Sequence, residues 1–257
     1  WREPAAPATT VGRGDDAPGP VPPYAELSVT TNYTFLTGGS HPEEVVYQAA
    51  ALGYRAVAIT DLHSLAGVVR AHVAAKEAGI ALAVGARVRL KDPAGLTLNL
   101  YPTGMEGYRR LCRLLTLGKR RAEKGECLLT LGDVEAHAGG LLALAIPPAN
   151  AETPGFWAQT PRLRDAFGDG LAVAARFVYG DDDLDVVERI ASLCGVHCVP
   201  MVASNDPLYH DSARRPLQDV LTCIRLGCTL DAAGLRLAAH AERHLKTPAE
   251  MHRLCAR

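Results

Sequence analysis

Ala50-Ala51-Leu52-Gly53-Tyr54-Arg55-Ala56-Val57-Ala58-Ile59-Thr60-Asp61 runs from the last turn of a helix, across a glycine, into a short apolar strand that ends on a carboxylate. Glycine just past the last apolar turn is a helix stop, because it takes the left-handed conformation without a Cβ clash. Upstream, Ser40-His41-Pro42-Glu43 reads as the matching start, a serine cap with an acid three residues on. Downstream, a second helix from Leu65 to Ala78 ends at Gly79 and leads into Ala83-Val84-Gly85. The pattern continues, with strands expected at Ala25 to Thr31, Ala56 to Thr60, Leu82 to Leu90, Leu96 to Tyr101, Gly140 to Ile146, Leu171 to Val178 and Cys198 to Ser204. Apolar strands alternating with helices predict an α/β fold whose parallel strands are covered on both faces. Periodicity alone does not choose between a barrel and a wound sheet.

The chain has 257 residues, 48% of them hydrophobic, with Lys+Arg 27 against Asp+Glu 28. This balance predicts a soluble globular protein without a global polyanion-binding surface. No apolar run reaches the roughly 18 residues of a membrane helix, and nothing at the start resembles a signal peptide, so a cytoplasmic location without a membrane partner is expected. Seven cysteines form no CxxC pair and read as reduced thiols. Residues 1–23 are rich in proline and poor in large apolar side chains, which predicts a flexible leader. Trp1 at the start, and a helix just under way after Thr247-Pro248, suggest a fragment.

In α/β folds, chemistry gathers at the carboxyl ends of strands. The segments there are Thr31-Asn32-Tyr33-Thr34-Phe35-Leu36-Thr37-Gly38-Gly39-Ser40-His41-Pro42-Glu43-Glu44, then Ile59-Thr60-Asp61 with Ser64-Leu65-Ala66-Gly67-Val68-Val69-Arg70, and Ala203-Ser204-Asn205-Asp206. With Glu106-Gly107-Tyr108-Arg109-Arg110-Leu111-Cys112 and Arg214-Arg215-Pro216-Leu217-Gln218-Asp219-Val220-Leu221, they resemble, in order and spacing, the amino-terminal PHP (polymerase and histidinol phosphatase) domain of bacterial error-prone DNA polymerases of the DnaE-like, ImuC type. The resemblance covers Tyr24 to about Arg225 and implies a distorted seven-stranded β/α barrel, TIM-barrel-like, over residues 24–226. Residues 227–257 would then connect to a polymerase domain. It also implies translesion synthesis and DNA repair by the whole polymerase, with the remainder of that chain, DNA, a sliding clamp and ImuA/ImuB-type accessory proteins as partners. Magnesium would serve the polymerase domain, and no cofactor is expected in this segment.

Metal-binding members of the family hold a trinuclear cluster at the barrel mouth, where metal-activated water hydrolyses phosphoesters. Here the HxH positions hold Ser28 and Thr30, the following acidic position Thr37, and the histidine after Asp61 is replaced by Leu62. The third-strand glutamate position holds Arg87, the fourth-strand histidine position Thr97, and of the last aspartate and histidine only Asp206 remains, beside Leu208. One carboxylate cannot hold such a cluster. An ion pair between Arg87 and Asp206 is expected in its place.

His63 could replace the lost histidine only by a one-residue register shift, and reads as a loop histidine. Asp61 reads as a helix N-terminal or loop-stabilising carboxylate rather than a ligand. His240 and His244 stand at i, i+4 with no third ligand, as on a solvated face. Gly38-Gly39-Ser40 lacks the lysine of a P-loop and reads as a turn into a capped helix. One local charge feature remains: Arg109, Arg110, Arg113, Lys119, Arg120, Arg121 and Lys124 against Glu123 alone could contact a DNA backbone weakly and without sequence preference, or could form a solubilising face. The expected function is thus a non-catalytic, metal-free scaffold of an error-prone polymerase. The alternative is a free-standing PHP-family metal-dependent phosphoesterase, and an amidohydrolase-like barrel fails for the same want of histidines.

Overall fold

The computed structural model describes residues 22–148, 154–178 and 183–255. Of the expected leader, all but residues 22 and 23 lies outside them. β1 (Ala25–Val29), β2 (Ala56–Ile59) and β3 (Ala81–Val84) form a parallel sheet in that order, with α1 (Pro42–Ala51) and α2 (Val68–Ala78) as the crossovers that parallel neighbours require. The helices bury Val45, Val46 and Ala49, and Ala71, Ala74 and Ala75, against Val29, Val57 and Ile59. That spacing is the one-sided apolar stripe of a helix lying on a sheet.

The serine cap is corrected by one residue. Pro42 takes the first helical position, where a missing N–H is harmless, so His41 becomes the cap and its N–H donates to Glu44 Oε2 at 2.8 Å. Ser40 Oγ is 2.7 Å from His210 Nδ1 and accepts from the His210 N–H at 2.9 Å.

β4 (Ala86–Arg89), β5 (Thr97–Pro102), β6 (Leu141–Ile146), β7 (Leu171–Arg176) and β8 (Met201–Ser204) form a second sheet in sequence order. α3 (Met105–Arg120), α4 (Leu131–His137), α5 (Pro154–Trp157), α6 (Thr160–Phe167) and α7 (Asp183–His197) lie between its strands. The main core packs Leu98, Leu100, Leu111, Leu114, Leu129 and Val134 with Leu163, Leu171 and Ile190. Thr130 caps α4: its Oγ1 accepts from Asp133 N–H at 3.2 Å, while its own N–H donates to Asp133 Oδ2 at 2.9 Å. Thr130→Ala is expected to cost about 1–2 kcal/mol, read as a lower urea midpoint with an unchanged slope.

The fold is mixed α/β as expected, but a closed, distorted seven-stranded β/α barrel is not seen: among the described residues eight strands make two sheets whose ladders do not close. The expected strand Leu82 to Leu90 breaks at Gly85, where the Tyr101 ring lies so close that a Cβ would sit 2.7 Å from its Cδ1. β5 runs antiparallel to β4, because the link from Leu90 to Leu96 is too short for a crossover, and it also pairs antiparallel with β6. The sheets meet at the carboxyl edge instead. Arg87 N–H donates to the Asp61 carbonyl at 3.0 Å, His63 N–H to the Arg87 carbonyl at 2.7 Å, and Thr30 N–H to the Pro207 carbonyl at 3.1 Å.

α8 (Arg215–Leu226), α9 (Leu230–Ala233) and α10 (Pro248–Cys255) follow β8. The expected connector after 226 packs back onto the domain: Leu245 joins the core beside Val29 and Tyr54, and Tyr54 Oη donates to the Lys246 carbonyl at 2.6 Å. All seven cysteines are free thiols. No helix among the described residues is long and apolar enough to cross a membrane.

Candidate functional site

Asp206 follows β8 in a left-handed conformation, φ 45°, that turns its buried carboxylate toward the space between the two sheets. Its Oδ1 accepts from Arg87 Nη2 at 2.5 Å and from Ser28 Oγ at 3.0 Å; its Oδ2 is 2.9 Å from Arg243 Nη2 and 3.4 Å from Arg176 Nη1. Arg243 also donates through Nε to the Asp206 carbonyl at 2.8 Å. Burial by itself would raise the Asp206 pKa, but the positive charges of Arg87, Arg243 and Arg176 prevail and hold the carboxyl far below its usual range. For Arg243 burial wins, and with two like charges beside it the guanidinium pKa is lowered despite Asp206.

The structure thus brings together Ser28, Arg87 and Asp206 of the residues singled out by sequence. Ser28 Oγ accepts from Arg87 Nη2 at 2.7 Å and from Asn99 Nδ2 at 3.0 Å, and Arg87 Nε donates to Asn99 Oδ1 at 3.0 Å. Asn99 is the register partner of Arg87, whereas Thr97 pairs with Arg89 and turns its hydroxyl to the Gly95 carbonyl at 3.2 Å. Thr97 therefore stands outside the cluster, displaced by one pleat from the residue that faces it. Thr30, Thr37 and Leu62 line a neighbouring cleft. Leu208 makes backbone contacts, to Arg243 and Gly39.

A metal centre does not fit these residues. Both oxygens of Asp206 are engaged by guanidinium groups, and among the described residues no three His, Cys, Asp or Glu side chains gather as a ligand set. His240 and His244 lie after α9, outside any helix, and His244 Nδ1 is 2.8 Å from the Leu245 carbonyl.

Two further carboxylates hold the mouth. Asp61 is a loop fastener: its Oδ1 accepts from Thr31 N–H at 2.9 Å and Thr34 Oγ1 at 2.7 Å, and its Oδ2 from Thr31 Oγ1 at 2.7 Å. Glu26 was not singled out by sequence. Fully buried in β1, it accepts from Ser28 N–H at 2.9 Å, Ser204 Oγ at 2.6 Å, Asn205 N–H at 2.9 Å and Tyr24 Oη at 2.8 Å. Burial raises the pKa of both carboxyls, against the pull of these hydrogen bonds.

The cleft beside the hub holds about 720 Å³ between the loop after β1, the loop after β2, β4, the end of α3 and α8. It divides the basic segment. Lys119 and Lys124 face the cleft, where Arg89 and Arg225 join them. Arg109 and Arg110 are 3.5 and 3.4 Å from Glu106, and Arg121 is 2.7 Å from Asp133. Arg113, Arg120 and Arg121 line a separate hollow with His137. The seven cations thus have different surroundings: Lys119 and Lys124 line the cleft, and the others lie near acids or line the separate hollow.

The family model described as PHP domain matches residues 26–173. An error-prone DNA polymerase from Caulobacter vibrioides is 47% identical over 233 residues, which cover 91% of this chain and 21% of that protein. Another, from Rhodopseudomonas palustris, is 43% identical over 238 residues, with the same shares of 91% and 21%. The chain thus spans about a fifth of the length of these curated relatives. Among solved structures, an amidohydrolase from Chromobacterium violaceum with bound sulfate and no metal superposes with a TM-score of 0.54 at 14% identity, over 72% of this chain and 87% of that one. That likeness concerns the fold, as the matched model and the two polymerases concern ancestry. By its sequence and its architecture, the chain belongs to the PHP domain family.

Proposed function

We propose that this chain is the PHP domain of an error-prone DNA-directed DNA polymerase acting in translesion synthesis and DNA repair, and that it serves as a metal-free, non-catalytic scaffold. The observation that carries this reading is the triple engagement of Asp206 by Arg87, Arg176 and Arg243. Through these contacts and the Ser28 hydroxyl, Asp206 ties β1, β4, β7 and β8 together by ion pairs and hydrogen bonds. Nucleotidyl transfer, with its magnesium ions, belongs in this reading to the part of the polymerase that the relatives have beyond the matched fifth. The sliding clamp and ImuA/ImuB-type proteins are partners of that whole polymerase, in its cytoplasmic setting. The rival reading, a free-standing metal-dependent phosphoesterase, needs histidine ligands at Ser28, Thr30, Leu62, Thr97 and Leu208 and carboxylates at Thr37 and Arg87, and these side chains are not metal ligands.

Elemental analysis of the purified chain is expected to give no stoichiometric zinc, manganese or iron, and chelator should leave its melting temperature unchanged. Primer extension by the chain alone should be absent. One or more equivalents of metal, with phosphoesterase activity that Asp206→Ala abolishes, would establish the rival reading instead.

A further inference from the structure

The cleft beside the hub is built of parts that the scaffold role leaves without work. Arg89, Lys119, Lys124 and Arg225 reach it from β4, α3, the following loop and α8, and among the described residues none of them is ion-paired. Glu123 and Glu126 also line it and offset part of that charge. On its floor, Thr30 is 2% exposed and its Oγ1 has no hydrogen-bond partner. The buried Nδ1 of His63 also lacks one. Both atoms lack a protein partner, a place that water or a bound polar group can fill.

At the rim stands Phe35, 82% exposed, with Tyr33 beside it. An exposed aromatic ring next to unpaired cations is the combination by which proteins hold single strands: the ring stacks on a base and the cations neutralise the phosphate. The sequence hid this pairing. In the basic segment the one aromatic residue is Tyr108, whereas Phe35 arrives from the loop after β1.

We propose that the cleft binds one nucleotide unit of single-stranded DNA, its phosphate among Arg89, Lys119, Lys124 and Arg225 and its base against Phe35. Thr30 Oγ1 then donates to a phosphate or sugar oxygen. The contacts are direct, from side chain to phosphate, and no metal mediates them. His63 stays neutral near pH 7, because burial first, then Arg89 and Lys119, lower its pKa to about 4. It can therefore accept or donate one hydrogen bond without adding charge. The choice of DNA among polyanions rests on the polymerase reading above.

The test is fluorescence anisotropy with a labelled oligothymidylate of about ten nucleotides, an abasic oligomer of the same length, and thymidine monophosphate as competitor. Phe35→Ala is expected to weaken the oligothymidylate roughly tenfold or more and to leave the abasic oligomer unaffected. Lys119→Glu with Arg225→Glu should weaken both oligomers and flatten the dependence on log salt by about two. Arg113→Glu with Arg120→Glu, outside the cleft, should change neither by more than about twofold. His63 imidazole resonances should shift on addition of the oligothymidylate. Unchanged binding in the cleft variants, or loss confined to the Arg113 and Arg120 variant, would overturn the site. Thymidine monophosphate displacing the oligomer at matching affinity would assign the cleft to free nucleotides and overturn the strand. None of these outcomes bears on metal content or primer extension, so the scaffold reading stands or falls separately.

Discussion

Asp206→Ala is expected to destabilise the chain by about 3–5 kcal/mol, the effect of leaving buried charges without their partner. The arginines concerned are Arg87, Arg176 and Arg243, whose side chains are 13%, 24% and 20% exposed around a carboxylate that is 3% exposed. Removing the acid strands all three, whereas Arg87→Met leaves Asp206 two partners and should cost less. Urea denaturation of both single variants and of the double variant gives their coupling, expected to exceed 1 kcal/mol because the groups are in contact. The pH dependence follows from the lowered pKa. Asp206 contributes stability that is fully present above its ordinary pKa of 3.8 and is lost as pH falls below that value toward the folded pKa. The wild-type melting temperature should therefore drop below about pH 4 more steeply than that of Asp206→Asn. Equal acid slopes in the two proteins would detach Asp206 from this account.

Glu26→Ala should be as damaging, through a different cause. The carboxylate satisfies the N–H groups of Ser28 and Asn205 in fully buried surroundings, and the alanine leaves both without an acceptor. Each orphaned donor costs about 1–3 kcal/mol, so the expected total is about 3 kcal/mol or more. Glu26→Gln keeps the shape but turns an amide NH₂ toward donors, and should fall between alanine and wild type. Its cost depends on pH in the opposite sense to that of Asp206. Because burial raises the Glu26 pKa, the native state holds a proton that the unfolded chain has already released, so this contribution is fully present below pH 4.5 and is lost as pH rises through the folded pKa. The penalty for Glu26→Gln should thus shrink as pH rises, a trend that urea titrations at several pH values will show.

The sequence carries these strands plainly because their signals are local: β2, β6 and β7 lie within about two residues of the apolar runs that announce them. What it conceals is long-range. The expected strand Leu82 to Leu90 divides at Gly85 between two sheets, and the Tyr101 ring that packs there comes from another strand. The antiparallel β5 was within reach, since Lys91-Asp92-Pro93-Ala94-Gly95 is a turn between apolar runs that lie too close for a crossover. At the site, the family's spacing located Ser28, Arg87 and Asp206, but it could not supply Arg176, Arg243, Glu26 or Asn99, which match no ligand position. Arg243 comes from a segment read as a connector, and Asn99 lies one pleat beyond Thr97 on the strand beside Arg87. A rule of strand pleating could have found Asn99, because residues two apart share a face.

The arginine hub also has a consequence for redesign. Suppose a metal site were to be built into this mouth one substitution at a time. Arg87→Glu alone would set a second carboxylate against Asp206, and like charges at such range cannot both stay ionised. Leu62→His alone would add one ligand beside a site still filled by guanidinium groups. Each single change is expected to lower stability or leave it unimproved, and to bind no metal until several are in place, because coupled residues do not add. With folding margins of only about 5–15 kcal/mol, such intermediates have little stability to lose before the last ligand is in place. The hub works as a latch: with three guanidinium groups closed on Asp206, no single substitution at its rim frees that carboxylate for a cation.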